Sequence, residues 1–395
     1  MIKLRSFQHF LFATWVLIIL HTTKKTFDIL VWVFVLYKKT ISKTTHRQKF
    51  PKKTIVFISD IDQPYVAGVV TNMLNLKRLL EQSGYTIKII SPRFFNRTIE
   101  LNIRQIKKWP LPIYNPFAYF KTIVSFFDAK CFIIHTLEGT LGYSASALLR
   151  SLKKPFLIRY TTRMDSYVTM WCYGHYQKQY TKFYNSLYNP NDQIIYNNDA
   201  IMQWFNRLTF SASQAKAHVW TPTLQTMYFT PITKKSTLLT PIFLYVGRIA
   251  MEKNILDFLT WQVHGKKIVV GDGPLLSRIK QDFPSIDFVG EKKGSELLTF
   301  YDKANYFVFP STTDTFGMVC IEAISRGLPI IGYSQQLGPG GILQNTPFNT
   351  LADTLDNSYE KAKKIDPDHL IQFAKQFSED ESRKSIVSIV EQCVK

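Results

Sequence analysis

Cysteine is scarce in this chain, with four in 395 residues. Cys131, Cys172, Cys320 and Cys393 have none of the short spacings of a zinc site, so they read as reduced thiols in a cytosol-facing protein. Acid is scarce too, with 29 Asp+Glu against 49 Lys+Arg. No apolar run reaches the roughly 20 residues that span a bilayer. The amino terminus has a basic start at Lys3 and Arg5 but no A-x-A cleavage site, which argues against a secretory signal peptide. What is abundant is apolar residue, at 46%, which suits a folded chain rather than a disordered one.

The net charge of +20 is unevenly placed. Residues 1–235 hold 32 Lys+Arg and 10 Asp+Glu, whereas 236–395 hold 17 and 19. A basic surface of this kind fits either nucleic acid or an anionic membrane leaflet. The amino terminus favours the membrane. Residues 9–20 and 27–37 are two apolar runs split by His21–Thr26, flanked by Lys24, Lys25, Lys38, Lys39 and Lys43. They are expected to form a retained anchor, a shallow hairpin or one imperfect span, at the cytosolic leaflet. No nucleic-acid partner is expected.

The length allows two ordinary domains. The expected division is 1–50 for anchor and basic linker, 51–235 for a first domain and 236–395 for a second. Short apolar runs alternate with helical periodicity through both halves. Thr54–Ser59 reads as a strand and Val69–Ser83 as a helix, with apolar residues at Met73, Leu76, Leu79 and Leu80. Gly68 stands where that helix opens. Strands follow at Tyr85–Ile90, Phe132–Ile134, Phe156–Tyr160, Ile194–Tyr196 and Ala217–Trp220. Trp171–Tyr188 is crowded with aromatics, interleaved with Lys178 and Lys182, and fits base stacking, a lipid interface or a core-facing helix. Asp60-Ile61-Asp62 has the D-x-D spacing of a metal site, which three residues at a strand end support only weakly; no metal is expected. Thr221–Ser236 reads as the interdomain connection. The fold expected is two doubly wound α/β domains facing a cleft.

The second half carries the densest pattern. Tyr306–Phe309 reads as a buried strand, Pro310–Thr315 as a polar loop, Met318–Arg326 as a helix stopped by Gly327, and Leu328–Tyr333 as the next strand. Ligands of such units bind where strand gives way to helix. There Gly317 allows close approach, and the amides of Gly317, Met318 and Val319 would face an anion such as a diphosphate. Arg248 and Lys253, five apart after the strand Ile242–Gly247, can point at that same anion. Asp314 at the loop tip could accept sugar hydroxyls or cap a turn. Glu322 could accept from a ribose diol or stabilise its helix start. Gly271-Asp272-Gly273-Pro274 reads as a tight turn near the nucleotide.

These segments resemble those of the retaining glycosyltransferases of family four, which have the GT-B fold. The matching stretches are Phe243–Ile249 with Glu252-Lys253-Asn254, Val270–Pro274, and Phe309–Gly317 with Glu322-Ala323. Asp314 and Glu322 fall on the family's acid-x7-acid signature. The resemblance runs from about Thr54 to Val394. It implies that Arg248 and Lys253 bind the donor diphosphate in place of a metal. It further implies that Asp314 and the amides of Phe316, Gly317, Met318 and Val319 hold the hexose, that Glu322 holds the ribose, and that Gly68, Gly247 and Gly273 line the donor. The Thr-Asp-Thr-Phe-Gly form, with Thr162-Arg163 and Tyr167, is similar to the branch of lipid mannosyltransferases and sulfoquinovosyl- or glucosyl-diacylglycerol synthases. The implied activity is transfer of a hexose from a UDP- or GDP-sugar to a lipid or lipid-linked acceptor. The alternative is a membrane-associated protein that binds nucleotide sugar without catalysis. Departures fall mostly outside the donor motifs: Tyr160-Thr161-Thr162 stands for the branch's Tyr-His-Thr, Asn197-Asn198 for a Pro-Ser pair, Thr223-Leu224-Gln225 for Gly-Val-Asp, and Asn305 for a common Asp.

Overall fold

The computed structural model describes residues 24–26, 28–32, 34, 51, 53–61, 68–91, 98–103, 106–112, 116–135, 137, 139–163, 179, 182–183, 186–232 and 240–395. The apolar run 9–20, most of the linker 38–53, Asp62, Tyr167 and most of the aromatic stretch 171–188 lie outside the described residues.

Two parallel sheets dominate. The first contains β1 (Thr54–Ile58), β2 (Thr86–Ile90), β5 (Cys131–Ile134), β6 (Phe156–Arg159), β7 (Gln193–Tyr196) and β8 (Lys216–Val219), in the order β2-β1-β5-β6-β7-β8. The second contains β9 (Ile242–Val246), β10 (Lys266–Val270), β11 (Asp287–Gly290), β12 (Tyr306–Phe309) and β13 (Ile330–Gly332), in the order β11-β10-β9-β12-β13. Strands β1, β5, β6 and β9 are buried at every position, as continuous apolar runs covered on both faces must be. An antiparallel hairpin, β3 (Thr98–Ile103) with β4 (Ile106–Pro112), is an addition the sequence reading did not contain.

The helices that matter for the site are α1 (Gly68–Gln82), α2 (Pro116–Ser125), α3 (Thr140–Ser151), α4 (Asp199–Leu208), α5 (Met318–Ser325), α6 (Gly338–Leu343) and α7 (Glu379–Val394). Helix α1 buries Met73, Leu76, Leu79 and Leu80, the stripe expected from their spacing. Helix α7 is last in sequence but packs on the first sheet. Its Ile386, Ile389, Val390 and Cys393 share a core with Ile55, Phe57, Ile133 and Trp220. The Trp220 indole donates to Ser382 O at 3.0 Å, and Arg78 pairs with Glu379 at 2.6 Å. The return also brings Cys131 and Cys393, distant in sequence, to an Sγ–Sγ separation of 3.7 Å.

The described part of the second amino-terminal apolar run is helical and lies against the first domain. Val31 and Phe34 join its core, with the Phe34 ring 5.3 Å from Phe120 of α2. Asp28 accepts a hydrogen bond of 2.7 Å from Tyr143 of α3. Among the described residues no helix is long and apolar enough to cross a membrane, so a spanning anchor has no support there.

Candidate active site

Each sheet reverses its strand order once, between β1 and β5 in the first and between β9 and β12 in the second. Loops leaving the carboxyl ends of two such neighbours diverge and leave a crevice. The candidate donor site is the crevice after β9 and β12.

The β9 side is held by backbone. Gly247 N donates to Val270 O at 3.0 Å and Ile249 N to Asp272 O at 2.9 Å. A Cβ on Gly271 would fall 1.9 Å from Gly247 O, and one on Gly273 2.3 Å from Ile249 O. These two glycines therefore let the β9 and β10 loops lie in direct contact, which is more than the tight turn expected. After β9 the chain forms a 3₁₀ turn, Met251–Lys253. Asn254 follows at φ 49°, and the α-helix runs from Ile255 to Thr260. Asn254, whose side chain donates to Pro310 O at 3.3 Å, thus re-aims Lys253 toward the β12 loop.

That loop meets the turn closely. Thr313 Oγ1 donates to Glu252 O at 3.0 Å. Lys253 Nζ lies 2.7 Å and 2.9 Å from the two Asp314 oxygens, and Ser311 donates its hydroxyl to the same carboxylate. Arg248 is more open, with its guanidinium 3.6 Å from Glu252. Both cations expected to clamp an anion are therefore at the crevice, each beside a carboxylate.

Gly317 takes φ 80°, a conformation strained for any other residue but Asn or Asp, and turns the chain into α5. The amides of Met318 and Val319 open the helix and have no partners within it. Phe316 does not face a ligand. Its side chain is 2% exposed and packs beside Phe377 in the second core, so only the Phe316 backbone can serve the crevice. Gly338 of α6 abuts the loop, since a Cβ there would lie 2.7 Å from Asp314 O. The run Gly338-Pro339-Gly340-Gly341 was a legible signal that the sequence reading passed over.

Glu322 is not in the first turn of α5, so it does not stabilise the helix start. Its carboxylate accepts from Tyr301 at 2.8 Å and also from Tyr228. Burial raises its pKa, and these two phenols act against that rise. Neither tyrosine was identified from sequence.

The first domain reaches the donor loop directly. Arg163 Nη1 donates to Thr312 O at 3.0 Å, and Thr315 Oγ1 donates to Thr161 O at 2.8 Å. Asn198 Nδ2 reaches Thr315 O at 3.4 Å and Gly338 O at 3.3 Å. Thr161, in the position where the resembling branch has histidine, donates its hydroxyl to His135 O at 3.1 Å. The His135 ring is buried beside Phe57, and neither nitrogen has a hydrogen-bond partner among the described residues. Burial, then nearby Arg159, hold its pKa well below the usual histidine value. On the same edge, Asp60 accepts from Leu141 N and Gly142 N at 3.0 and 3.1 Å, so its carboxylate serves the start of α3. Gly68 opens α1, as expected.

Residues 240–363 match the family described as glycosyl transferases group 1. Over this segment the chain is similar to the group 1 glycosyltransferases. The matched residues include Arg248, Lys253, Asp314, Gly317 and Glu322. The chain is 24% identical over 308 residues to the sulfoquinovosyl transferase SQD2 of Arabidopsis thaliana, covering 71% of this chain and 59% of that one. It is 25% identical over 313 residues to the alpha-monoglucosyldiacylglycerol synthase of Streptococcus pneumoniae, covering 71% and 70%. The chain thus spans less than two thirds of the plant relative's length. Its fold matches that of Anabaena HepE, solved in complex with UDP-glucose, at TM-score 0.59 and 14% identity, covering 86% of this chain and 99% of that one. The architecture is GT-B.

Proposed function

We propose that this protein is a glycosyltransferase that moves a hexose from a UDP- or GDP-sugar to a membrane lipid or lipid-linked acceptor, with retention at the anomeric carbon and without a metal ion. The observation that carries the reading is the meeting of Arg248, Lys253, Asp314 and the first-turn amides of α5 at the β9/β12 switch point. Two fixed cations and a helix start neutralise a departing nucleoside diphosphate, the role a divalent ion would otherwise fill. Asp314, beside Lys253, is placed to accept sugar hydroxyls. Glu322, one turn further along α5, accepts from a ribose diol when its phenol partners yield. The lipid acceptor is supported by one named relative, the alpha-monoglucosyldiacylglycerol synthase.

Attachment to an anionic, cytosolic membrane face is supported by the amino-terminal helical segment. Its Ile29 and Trp32 are 62% and 64% exposed, three apart on the face opposite Val31 and Phe34, with Lys25 exposed nearby. An apolar-and-basic outer face of this kind suits the headgroup boundary.

The test incubates the full chain with membranes and labelled UDP- and GDP-sugars, with and without EDTA. Retained, EDTA-insensitive transfer into the lipid fraction is expected. Donor binding with no transfer to any lipid would favour the non-catalytic alternative. Anionic vesicles should bind the wild type and lose the Ile29→Ser/Trp32→Ser variant at unchanged Tm; equal binding would remove the membrane argument.

A further inference from the structure

Arg159 ends β6 in the core of the first domain, 1% exposed, where a charge needs a reason. Its guanidinium packs over Trp220 at 4.5 Å and makes one hydrogen bond, Nη2 to Asn197 Oδ1 at 2.8 Å. Among the described residues Nε and Nη1 have no partner, and burial draws its pKa down to about 9. A buried guanidinium so poorly paired is less stabilising than an apolar side chain of the same volume. Stability alone does not account for it.

Its neighbours do. Arginine can only donate, so the oxygen of the Asn197 amide must face it. The NH2 group must then face the other way, and there it meets Thr315 Oγ1 at 3.2 Å. Having accepted from Asn197, the Thr315 hydroxyl turns its own proton to Thr161 O, 2.8 Å away. Every donor and acceptor from Arg159 to Thr161 is thereby fixed in one sense. An amide that could otherwise flip is locked by a charge-assisted bond. The chain of bonds passes through Thr315, the residue next to Asp314, in the loop that also leads into Gly317 and α5. Asn198, the next residue, holds Thr315 O and Gly338 O.

We propose that Arg159 and Asn197 are positioning residues for sugar transfer: they clasp the donor loop to the first domain through Thr315 and so aim Asp314 and the α5 amides across the cleft. This rests on the transfer function proposed above. Neither residue touches the donor.

Asn197→Asp separates positioning from support. The carboxylate keeps the bond to Arg159 and neutralises it, and the adjacent cation keeps it ionised. It cannot donate to Thr315. Tm is expected equal to or above wild type while kcat falls on the order of 10- to 100-fold, the scale of a small misplacement, with donor KM changed far less. Arg159→Met should split the same way, with stability kept and kcat reduced. Thr315→Ser keeps the hydroxyl and should recover near-wild-type transfer, whereas Thr315→Val should fall with Asn197→Asp. Wild-type kcat in Asn197→Asp, or loss of Tm and kcat together in both Asn197→Asp and Arg159→Met, would overturn the proposal. If the wild type transfers no sugar, the transfer reading fails on its own. Amide hydrogen exchange at 311–317 then decides the clasp, with faster exchange in Asn197→Asp expected and equal exchange overturning it.

Discussion

Lys253 and Asp314, 61 positions apart, meet in a two-oxygen contact at 2.7 and 2.9 Å. The pair joins the β9 loop to the β12 loop and puts a cation and a carboxylate side by side at the crevice. Because each holds the other in place, their contributions to transfer are coupled. Lys253→Ala and Asp314→Ala should each lower kcat/KM by on the order of 10²- to 10³-fold. The double variant should lose less than the product of the two, since residues in contact are not additive. A double-mutant cycle on kcat/KM measures this. Near-normal rates in either single variant would remove that residue from the site.

The glycine at 271 is a steric requirement of the same crevice. An added Cβ would meet Gly247 O at 1.9 Å, and that atom is backbone, so the β9 loop itself must move. Gly271→Ala should cost about 1–3 kcal/mol of stability. It should also weaken nucleotide diphosphate binding, because Arg248 follows the displaced Gly247. Thermal unfolding and UDP or GDP titration check both, and an unchanged Kd would mean that Arg248 is not held by this contact.

Helix α7 predicts a stability effect far from the chemistry. Ile386 is fully buried between the last helix and the first sheet. Ile386→Ala should destabilise by about 2–4 kcal/mol, the usual cost of a core cavity. Denaturant unfolding followed by Trp220 fluorescence reports it, since Trp220 lies in the same cluster. A cost below about 1 kcal/mol would show that α7 is not part of the folded core of the first domain.

Both sheets and the donor loops were legible because their information is local. A fully buried parallel strand is a continuous apolar run, and the loop after it carries its ligand-facing residues in sequence order, as in Tyr306–Gly317. What was missed depends on distance or direction. Nothing near Glu322 in sequence names Tyr228 or Tyr301 as its partners. Asn197 reaches Thr315 across 118 positions, and Cys131 reaches Cys393 across 262. Phe316 sits between two site residues, yet the turn at Gly317 sends its ring into the core, a direction that loop composition does not encode. The β3–β4 hairpin carries prolines at 110 and 112, which argue against a strand in any sequence reading.

Glu322 supplies a pH dependence whose sign is fixed by its surroundings. Burial is the largest influence and raises its pKa from the ordinary 4.5; the hydrogen bonds from Tyr301 and Tyr228 oppose the rise without cancelling it. An acid whose pKa is higher in the folded state takes up protons on folding. Its contribution to stability is therefore complete below about pH 4.5 and is lost as pH rises through the raised folded value. Glutamine at this position has no charge to desolvate. The Tm of the wild type relative to Glu322→Gln should be highest in acid, fall across that window and then level off. Tyr301→Phe removes one bond that favours the ionised form, so in that background the window should move to higher pH. A Tm difference independent of pH would mean that the carboxylate is solvated, and the site would then be more open at the ribose end than this geometry describes. The same titration bears on transfer: if the ionised carboxylate accepts from the ribose, donor KM should decrease over the same pH range in the wild type and stay flat in Glu322→Gln.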